Sequence, residues 1–234
     1  MDRNMELSGQ SSEHLLWHPE ERHQLHRETL PDYCQLQAAA LADGIELRIA
    51  SAYRGFDRQL AIWNAKATGL RPVFNDSGQA LNLASMSDKE KVYAILRWSA
   101  LPGASRHHWG TDIDVYDAAA ISEGYTVQLS QKEFREGGPF YRLHKWLLNA
   151  VDTGRGRGFF QPFAHDRGGV APEPWHISHR PSAKQYEKSF CRDRLESVIV
   201  GSHIELKAEI VDHLDDIIRR FVDRPKEPLS DKGD

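Results

Sequence analysis

Cysteine is scarce in this chain, where Cys34 and Cys191 are the only two among 234 residues. Two thiols this far apart in sequence predict free cysteines, with a single disulfide as the alternative. Long apolar runs are also missing, so we expect no membrane span. The first eight residues contain no apolar segment of the secretory type. We therefore expect a cytoplasmic protein, or one that reaches the periplasm or cell envelope by another export route.

Positive charge is not in excess either, which argues against a nucleic-acid partner. The 30 Lys and Arg are outnumbered by 34 Asp and Glu, for a net charge of -4. A hydrophobic fraction of 40% and a charged fraction of 27% are those of an ordinary globular protein. The length suits one domain with short additions. We predict an N-terminal extension over 1–28, a main domain over 29–185, and a C-terminal helical appendage with a charged tail over 186–234.

Helix and strand signals alternate through the main domain. Thr29 and Pro31 predict the start of a helix that runs to about residue 42, and the alternating segment 45–50 predicts a strand. Ser87-Asp-Lys-Glu90 and Ser130-Gln-Lys-Glu133 have the spacing of capping boxes at helix starts. Further strands are predicted at 111–116, 125–129, 159–163 and 175–178, and further helices at 57–67 and 139–151. The pattern predicts an α+β fold with a small, mostly antiparallel sheet and flanking helices.

The two ends of the chain differ from this pattern. Residues 1–13 are polar, and we predict that they are loosely held. Near the C-terminus, residues 203–222 predict one amphipathic helix with a continuous apolar stripe. That stripe would dock on the domain, which is the more ordinary outcome, or pair with a second copy to form a homodimer.

Two short stretches carry the chemistry of a zinc hydrolase. The first is Ser105-Arg-His-His-Trp-Gly-Thr-Asp-Ile-Asp114, and the second is Glu173-Pro-Trp-His176. Together they supply a His, an Asp, a second His, and a Glu three residues before that last His. Three such ligands hold Zn²⁺ and leave a position open for water, and a nearby carboxylate takes the proton from that water. We predict that a histidine and an aspartate of the first stretch bind metal together with His176, and that Glu173 is the general base.

These residues resemble the LAS metallopeptidases, a family that includes lysostaphin, D-alanyl-D-alanine metallopeptidases and sonic hedgehog. The resemblance is greatest to the branch of vancomycin-resistance-type D-alanyl-D-alanine carboxypeptidases, with its pattern S-x-H-x-x-G-x-A-x-D followed by E-x-W-H. The upstream segment Ser51-Ala-Tyr-Arg54, followed by Gln59, is similar to a third motif of the branch. One position departs from the pattern, because Asp112 stands where the branch carries a small residue.

The resemblance places the metal ligands at His107, Asp114 and His176, with His107 rather than its neighbour His108, and it implies the remaining roles. Arg54 is expected to stabilise the oxyanion or to bind a terminal carboxylate, for which a guanidinium fork is suited. Tyr53, Gln59 and Ser105 are expected to contact substrate. For Asp112, strand alternation predicts the same face as Asp114. Two readings of Asp112 stay open: contact with a cationic group of the substrate, or orientation of a ligand histidine.

The sequence therefore predicts a zinc-dependent peptidase with a LAS-type fold. The resemblance implies a peptidoglycan stem peptide as its substrate, trimmed by one residue at a D-alanyl-D-alanine end. The alternatives are an L,D-carboxypeptidase, an endopeptidase that cuts cross-links, and a zinc-stabilised binding module without turnover. The presence of both Glu173 and Arg54 argues against the binding module, because a purely structural zinc site needs neither.

Overall fold

The computed structural model describes residues 3–223, which form two compact units. The first unit contains the residues up to Arg58, Arg106–His165 and Pro172–Phe190. The second contains Gln59–Ser105, Asp166–Ala171 and the described residues from Cys191 onward. The predicted division into 1–28, 29–185 and 186–234 stays a prediction.

The described strands and helices have the following bounds. The strands are β1 (Leu15–His18), β2 (His23–His26), β3 (Leu47–Ser51), β4 (Asp112–Asp117), β5 (Phe159–Phe160) and β6 (His176–His179). The helices are α1 (Arg3–Leu7), α2 (Thr29–Ala42), α3 (Phe56–Ala67), α4 (Asp88–Leu96), α5 (Gln131–Phe134), α6 (Tyr141–Asp152), α7 (Arg180–Ser189), α8 (Arg192–Gly201), α9 (Lys207–Asp212) and α10 (Leu214–Ile217). Short 3-10 turns occur at Leu83–Ser85, Arg106–Trp109 and Ala118–Ala120, and a π-helical turn at Ile218–Val222.

The main sheet of the first unit has four antiparallel strands in the order β3-β4-β6-β5. Its central strand β4 places Ile113 and Val115 in the core, fully buried. The register sets Asp114 opposite His176 on β6 and opposite Ser51 at the end of β3. The pairing of β3 with β4 has a register shift between Ile49 and Ser51. The sheet therefore brings parts of all three sequence motifs together, as the predicted α+β fold requires.

Local signals predicted several elements correctly. The helix expected over 29–42 is α2, and both capping boxes form, with Ser87 and Ser130 at the N-caps. Helix α6 buries Leu143, Trp146 and Leu147 on one side, at the spacing of an amphipathic helix. Both cysteines are free, as expected. Within residues 3–223, no helix is both long enough and apolar enough to cross a membrane.

Three predictions about local structure are wrong, and the first two concern secondary structure. Residues 125–129 form no strand, because Glu133 accepts hydrogen bonds from the Tyr125 hydroxyl and from the Gln128 N–H, and these hold the segment against the start of α5. Residues 203–222 do not form one helix, since the backbone leaves helical geometry at His213 between α9 and α10. The apolar side chains Ile210, Leu214 and Ile217 are buried although the segment forms two helices instead of one. Pairing of this segment with a second copy stays a prediction, as does the compartment of the protein.

The third error concerns residues 1–13, of which the structure describes 3–13. They form α1 and a turn that is packed rather than loose, because Leu7 lies in a buried cluster with Trp109, Ala183 and Tyr186. The indole N–H of Trp109 donates to the Leu7 carbonyl at 3.3 Å. The apolar partners of Leu7 lie more than a hundred residues away in sequence, so the polar composition of the segment gave no sign of them.

Candidate metal centre and active site

A tight turn and two adjacent strands position the three predicted metal ligands. His107 lies in the 3-10 turn Arg106–Trp109, Asp114 in β4 and His176 in β6. The chain passes from the turn into β4 through Gly110, which has a positive φ of 68°. A Cβ on Gly110 would collide with the Leu15 side chain and would lie 2.9 Å from the backbone nitrogen of His26. Only glycine therefore allows this close approach of β2 to the ligand turn.

The three side chains form a group that could hold one metal ion. Each offers a ligand atom, and these atoms lie within 4.8 Å of one another. His107 Nε2 is 3.3 Å from Asp114 Oδ2, and His176 Nδ1 is 3.3 Å from Asp114 Oδ1. Asp114 Oδ1 is buried without a hydrogen-bond partner among the described residues. An unsatisfied buried carboxylate oxygen between two imidazole nitrogens fits a bound cation. In the part of the chain that the structure describes, no second group of this kind occurs.

Hydrogen bonds on the far sides of the rings set the tautomers of the two histidines. His107 Nδ1 lies 2.9 Å from the Ala52 carbonyl oxygen, which can only accept. His176 Nε2 lies 2.9 Å from Asp112 Oδ1. We therefore assign the protons to His107 Nδ1 and His176 Nε2. This assignment leaves one lone pair on each ring, and both point toward Asp114.

The electrostatics of the site suit a cation. Burial by itself raises the pKa of Asp114, but His107 and His176 outweigh this effect and hold that pKa well below its usual range. Burial by itself lowers the pKa of His176, but the neighbouring carboxylates of Asp112, Asp114 and Glu173 raise it well above its usual value. So much negative charge around one imidazole favours a divalent cation as well as a proton, and the cation binds the neutral ring.

Glu173 lies beside the ligand group, at its more accessible side. Its Oε2 is 3.2 Å from His176 Nδ1, and its side chain is 14% exposed, against 4% for His176. The backbone holds it there, because Glu173 N–H donates to the Phe163 carbonyl at 2.8 Å and His176 N–H donates to the Glu173 carbonyl at 3.1 Å. The carboxylate can therefore approach a water molecule near the ligand atoms without being one of the three ligands.

Arg54 follows β3, and its backbone is bonded to the ligand turn on both sides. Arg54 N–H donates to the His107 carbonyl at 3.0 Å, and His108 Nδ1–H donates to the Arg54 carbonyl at 2.6 Å. The half-buried guanidinium donates to Ser51 Oγ at 3.0 Å. Tyr53 is held from another direction, since its hydroxyl donates to the Gly9 carbonyl at 3.3 Å.

Comparison with known proteins agrees with this geometry. The VanY family of D-alanyl-D-alanine carboxypeptidases matches residues 22–182, which is more than half of the chain and includes all three motifs. The chain belongs to the VanY family.

Similar proteins and structures come from several sources. An uncharacterised protein of Haemophilus influenzae is 43% identical over 98 residues, covering 41% of this chain and 67% of that protein. A D-alanyl-D-alanine carboxypeptidase of Enterococcus faecalis is 27% identical over 160 residues, covering 65% of this chain and 48% of that protein. The structure of VanYB in complex with D-alanine-D-alanine matches with a TM-score of 0.52 and 21% identity, covering 82% of this chain and 91% of that one. This last likeness shows a shared fold.

The remaining predicted site residues of this VanY-family chain differ in their surroundings. Asp112 is wholly buried, and its carboxylate lies within hydrogen-bond distance of Arg106, Thr111, His176 and Ser178. This burial favours the orientation of His176 over contact with a cationic substrate. Gln59 and Ser105 belong to the second unit, where each is buried. The amide of Gln59 donates to the Ala100 carbonyl at 2.6 Å. Substrate contact by these two residues stays a prediction.

Sequence reasoning missed two features of the VanY-family site. Arg106, next to a ligand, binds Asp112 through its Nε at 2.7 Å, and its position inside the first motif was a signal that could have been followed. The second feature is the N-terminal segment. The Gly9 carbonyl accepts from the Phe56 N–H at 2.8 Å as well as from Tyr53. Residues that precede the family match thus hold the loop that carries Arg54.

Proposed function

We propose that this chain is a zinc-dependent carboxypeptidase that removes the terminal D-alanine from peptidoglycan stem peptides ending in D-alanyl-D-alanine. The observation that carries the proposal is the buried group of His107, Asp114 and His176 with Glu173 beside it, in a chain of the VanY family. The same observation supports zinc as the metal, since two imidazole nitrogens and one carboxylate are a typical catalytic zinc set. When bound, Zn²⁺ supplies a Lewis acid that lowers the pKa of a water molecule and polarises a carbonyl.

Glu173 is the group that moves the proton. Its carboxylate takes a proton from the water that attacks the carbonyl carbon of the scissile peptide bond. It then passes that proton to the nitrogen of the leaving D-alanine as the carbon–nitrogen bond breaks. The position of Oε2 supports both steps, because it lies close to the ligand atoms and retains some exposure to solvent.

Arg54 is the group that binds a negative oxygen of the substrate. Its guanidinium donates either to the carbonyl oxygen as that oxygen becomes negative or to the terminal carboxylate of the peptide. The hydrogen bonds between the Arg54 backbone and the turn of His107 and His108 support this role, because they hold Arg54 beside the turn that carries a predicted metal ligand.

Incubation of the purified zinc-loaded protein with defined stem peptides tests the proposal, with products read by mass spectrometry. We expect the pentapeptide to lose one D-alanine and the tri- and tetrapeptides to persist. Release of D-alanine from the tetrapeptide alone would indicate an L,D-carboxypeptidase, and cleavage of a cross-linked dimer would indicate an endopeptidase. Binding of zinc and pentapeptide without cleavage of any stem would indicate the binding module and contradict the proposal.

A further inference from the structure

Asp112, the residue that departs from the family pattern, accepts a hydrogen bond in four directions. Its Oδ1 is 2.9 Å from His176 Nε2 and 2.7 Å from Arg106 Nε. Its Oδ2 accepts from Thr111 Oγ1 at 2.7 Å and from Ser178 Oγ at 3.0 Å. The side chain is 0% exposed. Because all lone-pair directions of the Asp112 carboxylate are occupied, the carboxylate cannot rotate. It therefore also fixes the orientation of the His176 ring that donates to it.

Arg106 is held as firmly as the carboxylate it binds. Its Nη1 donates to Glu187 Oε1 on α7 at 2.7 Å, and its Nη2 donates to Ser178 Oγ at 2.7 Å. The guanidinium carbon lies 4.7 Å from the centre of the Trp109 ring, in a cation–π contact. A planar fork can make these contacts together with the bond to Asp112, whereas an ammonium group cannot. Arg106 therefore neutralises the buried charge of Asp112 and prevents the carboxylate from rotating.

We propose that Asp112 and Arg106 form a positioning pair that fixes the tautomer and direction of His176 as a metal ligand, with Glu187 holding the pair to α7. This inference rests on the proposed zinc-dependent function. The geometry gives the reason: Asp112 Oδ1 occupies the far nitrogen of His176, so the near nitrogen, Nδ1, keeps the lone pair that faces Asp114. A small residue at position 112 would leave the Nε2–H buried without this partner and would leave Arg106 without one of its two counter-charges, Asp112 and Glu187.

The variant Asp112→Asn tests the proposal with little change of shape. We expect its zinc affinity, measured by competition with a chromophoric chelator, to fall by roughly 10- to 100-fold, the usual effect of losing a carboxylate that orients a ligand histidine. Thr111→Val is the matched control. It removes a bond to the other oxygen of Asp112 and leaves the bond to His176 in place, so we expect its zinc affinity to stay close to that of the wild type.

Two further readouts separate positioning from a merely structural role. Nitrogen NMR of the histidine rings in the metal-free protein, at a pH high enough for the rings to be neutral, should show His176 protonated at Nε2 in the wild type and a mixture of tautomers in Asp112→Ala. Arg106→Lys keeps the charge without the fork, so we expect its zinc affinity to lie between those of the wild type and Arg106→Gln. The thermal midpoint of each metal-free variant shows whether the variant is folded.

Equal zinc affinity in the wild type and Asp112→Asn would overturn the positioning pair, as would an equal loss in Thr111→Val. None of these measurements requires peptide cleavage. A wild type that binds zinc and cleaves no stem peptide would therefore contradict the proposed function while the comparison of variants still decides the positioning pair. A wild type that binds no zinc would overturn both.

Discussion

The substitution Gly9→Ala should damage the active site from outside the region matched by the family. Gly9 has a positive φ of 76°, and its carbonyl accepts from the Phe56 N–H at 2.8 Å. A Cβ there would lie 2.9 Å from the Phe56 nitrogen and would collide with the His108 ring. That ring cannot move away easily, because it is fully buried and donates to the Arg54 carbonyl at 2.6 Å.

Two costs add up in this variant. The left-handed backbone costs a non-glycine residue roughly 1–2 kcal/mol, and the collision in a packed region adds roughly 1–3 kcal/mol. The free energy of unfolding should therefore fall by about 2–5 kcal/mol in total. Displacement of the loops of Arg54 and His108 should also lower kcat/KM, by up to about 100-fold for a shift near 1 Å.

Gly124→Ala is the control, because Gly124 lies in the same unit with a φ of 83° and has nothing within 4 Å of the added Cβ. Its free energy of unfolding should fall only by the cost of the left-handed backbone, and its activity should stay that of the wild type. The assays are urea unfolding followed by circular dichroism, and peptide hydrolysis with zinc in excess. Equal losses of stability in the two variants, with activity unchanged in both, would refute the view that the N-terminal segment holds the active-site loops.

Four other predictions follow from the site and its surroundings. Glu173→Gln should keep its zinc, thermal stability and peptide binding while turnover falls by roughly two to four decades, the range for lost acid–base help; cleavage at the native rate would remove Glu173 from the mechanism. His176→Ala should lose most of its zinc in metal analysis, and unchanged zinc content would end its assignment as a ligand. Arg54→Ala should keep metal and fold but lose roughly two to three decades of rate, and Arg54→Lys should restore little of it; a fully active Lys variant would exclude the forked contact. Burial lowers the pKa of His26 to about 4, below the unfolded value near 6.5, so its contribution to stability is complete above about pH 6.5 and is lost as the pH falls toward 4. In His26→Asn, which keeps an acceptor for the Glu28 N–H that His26 Nδ1 now accepts at 3.1 Å, the free energy of unfolding should depend less on pH over this window; an unchanged dependence would contradict the assignment.

The sequence alone predicted His107, Asp114 and His176 as ligands, and the structure brings these three side chains together in a group that could hold a metal ion. His107 and Asp114 are seven residues apart, and Glu173 and His176 three, so each pair lies within one short stretch of chain. A glycine between the first two and strand alternation around Asp114 limit where their side chains can point. Helix starts were predictable for the same reason, since the capping boxes at Ser87 and Ser130 depend on residues within a single turn.

Contacts between remote segments decided the features that sequence reasoning missed. The strand predicted at 125–129 was prevented by the hydrogen bonds to Glu133, and the packing of α1 depends on Trp109 and Tyr186. Propensity and polarity describe each segment in water, whereas burial depends on the partner that the fold brings to it.

Asp112 shows both kinds of information at one residue. The alternation of β4 predicted that it shares a face with Asp114, and both carboxylates do contact His176. Its role, however, depends on the bonds it makes to His176 and Ser178, which lie 64 and 66 residues along the chain. A periodic pattern gives the direction of a side chain because that direction follows from local backbone geometry. The partners at the end of the side chain follow from strand register and packing, which only the tertiary structure decides.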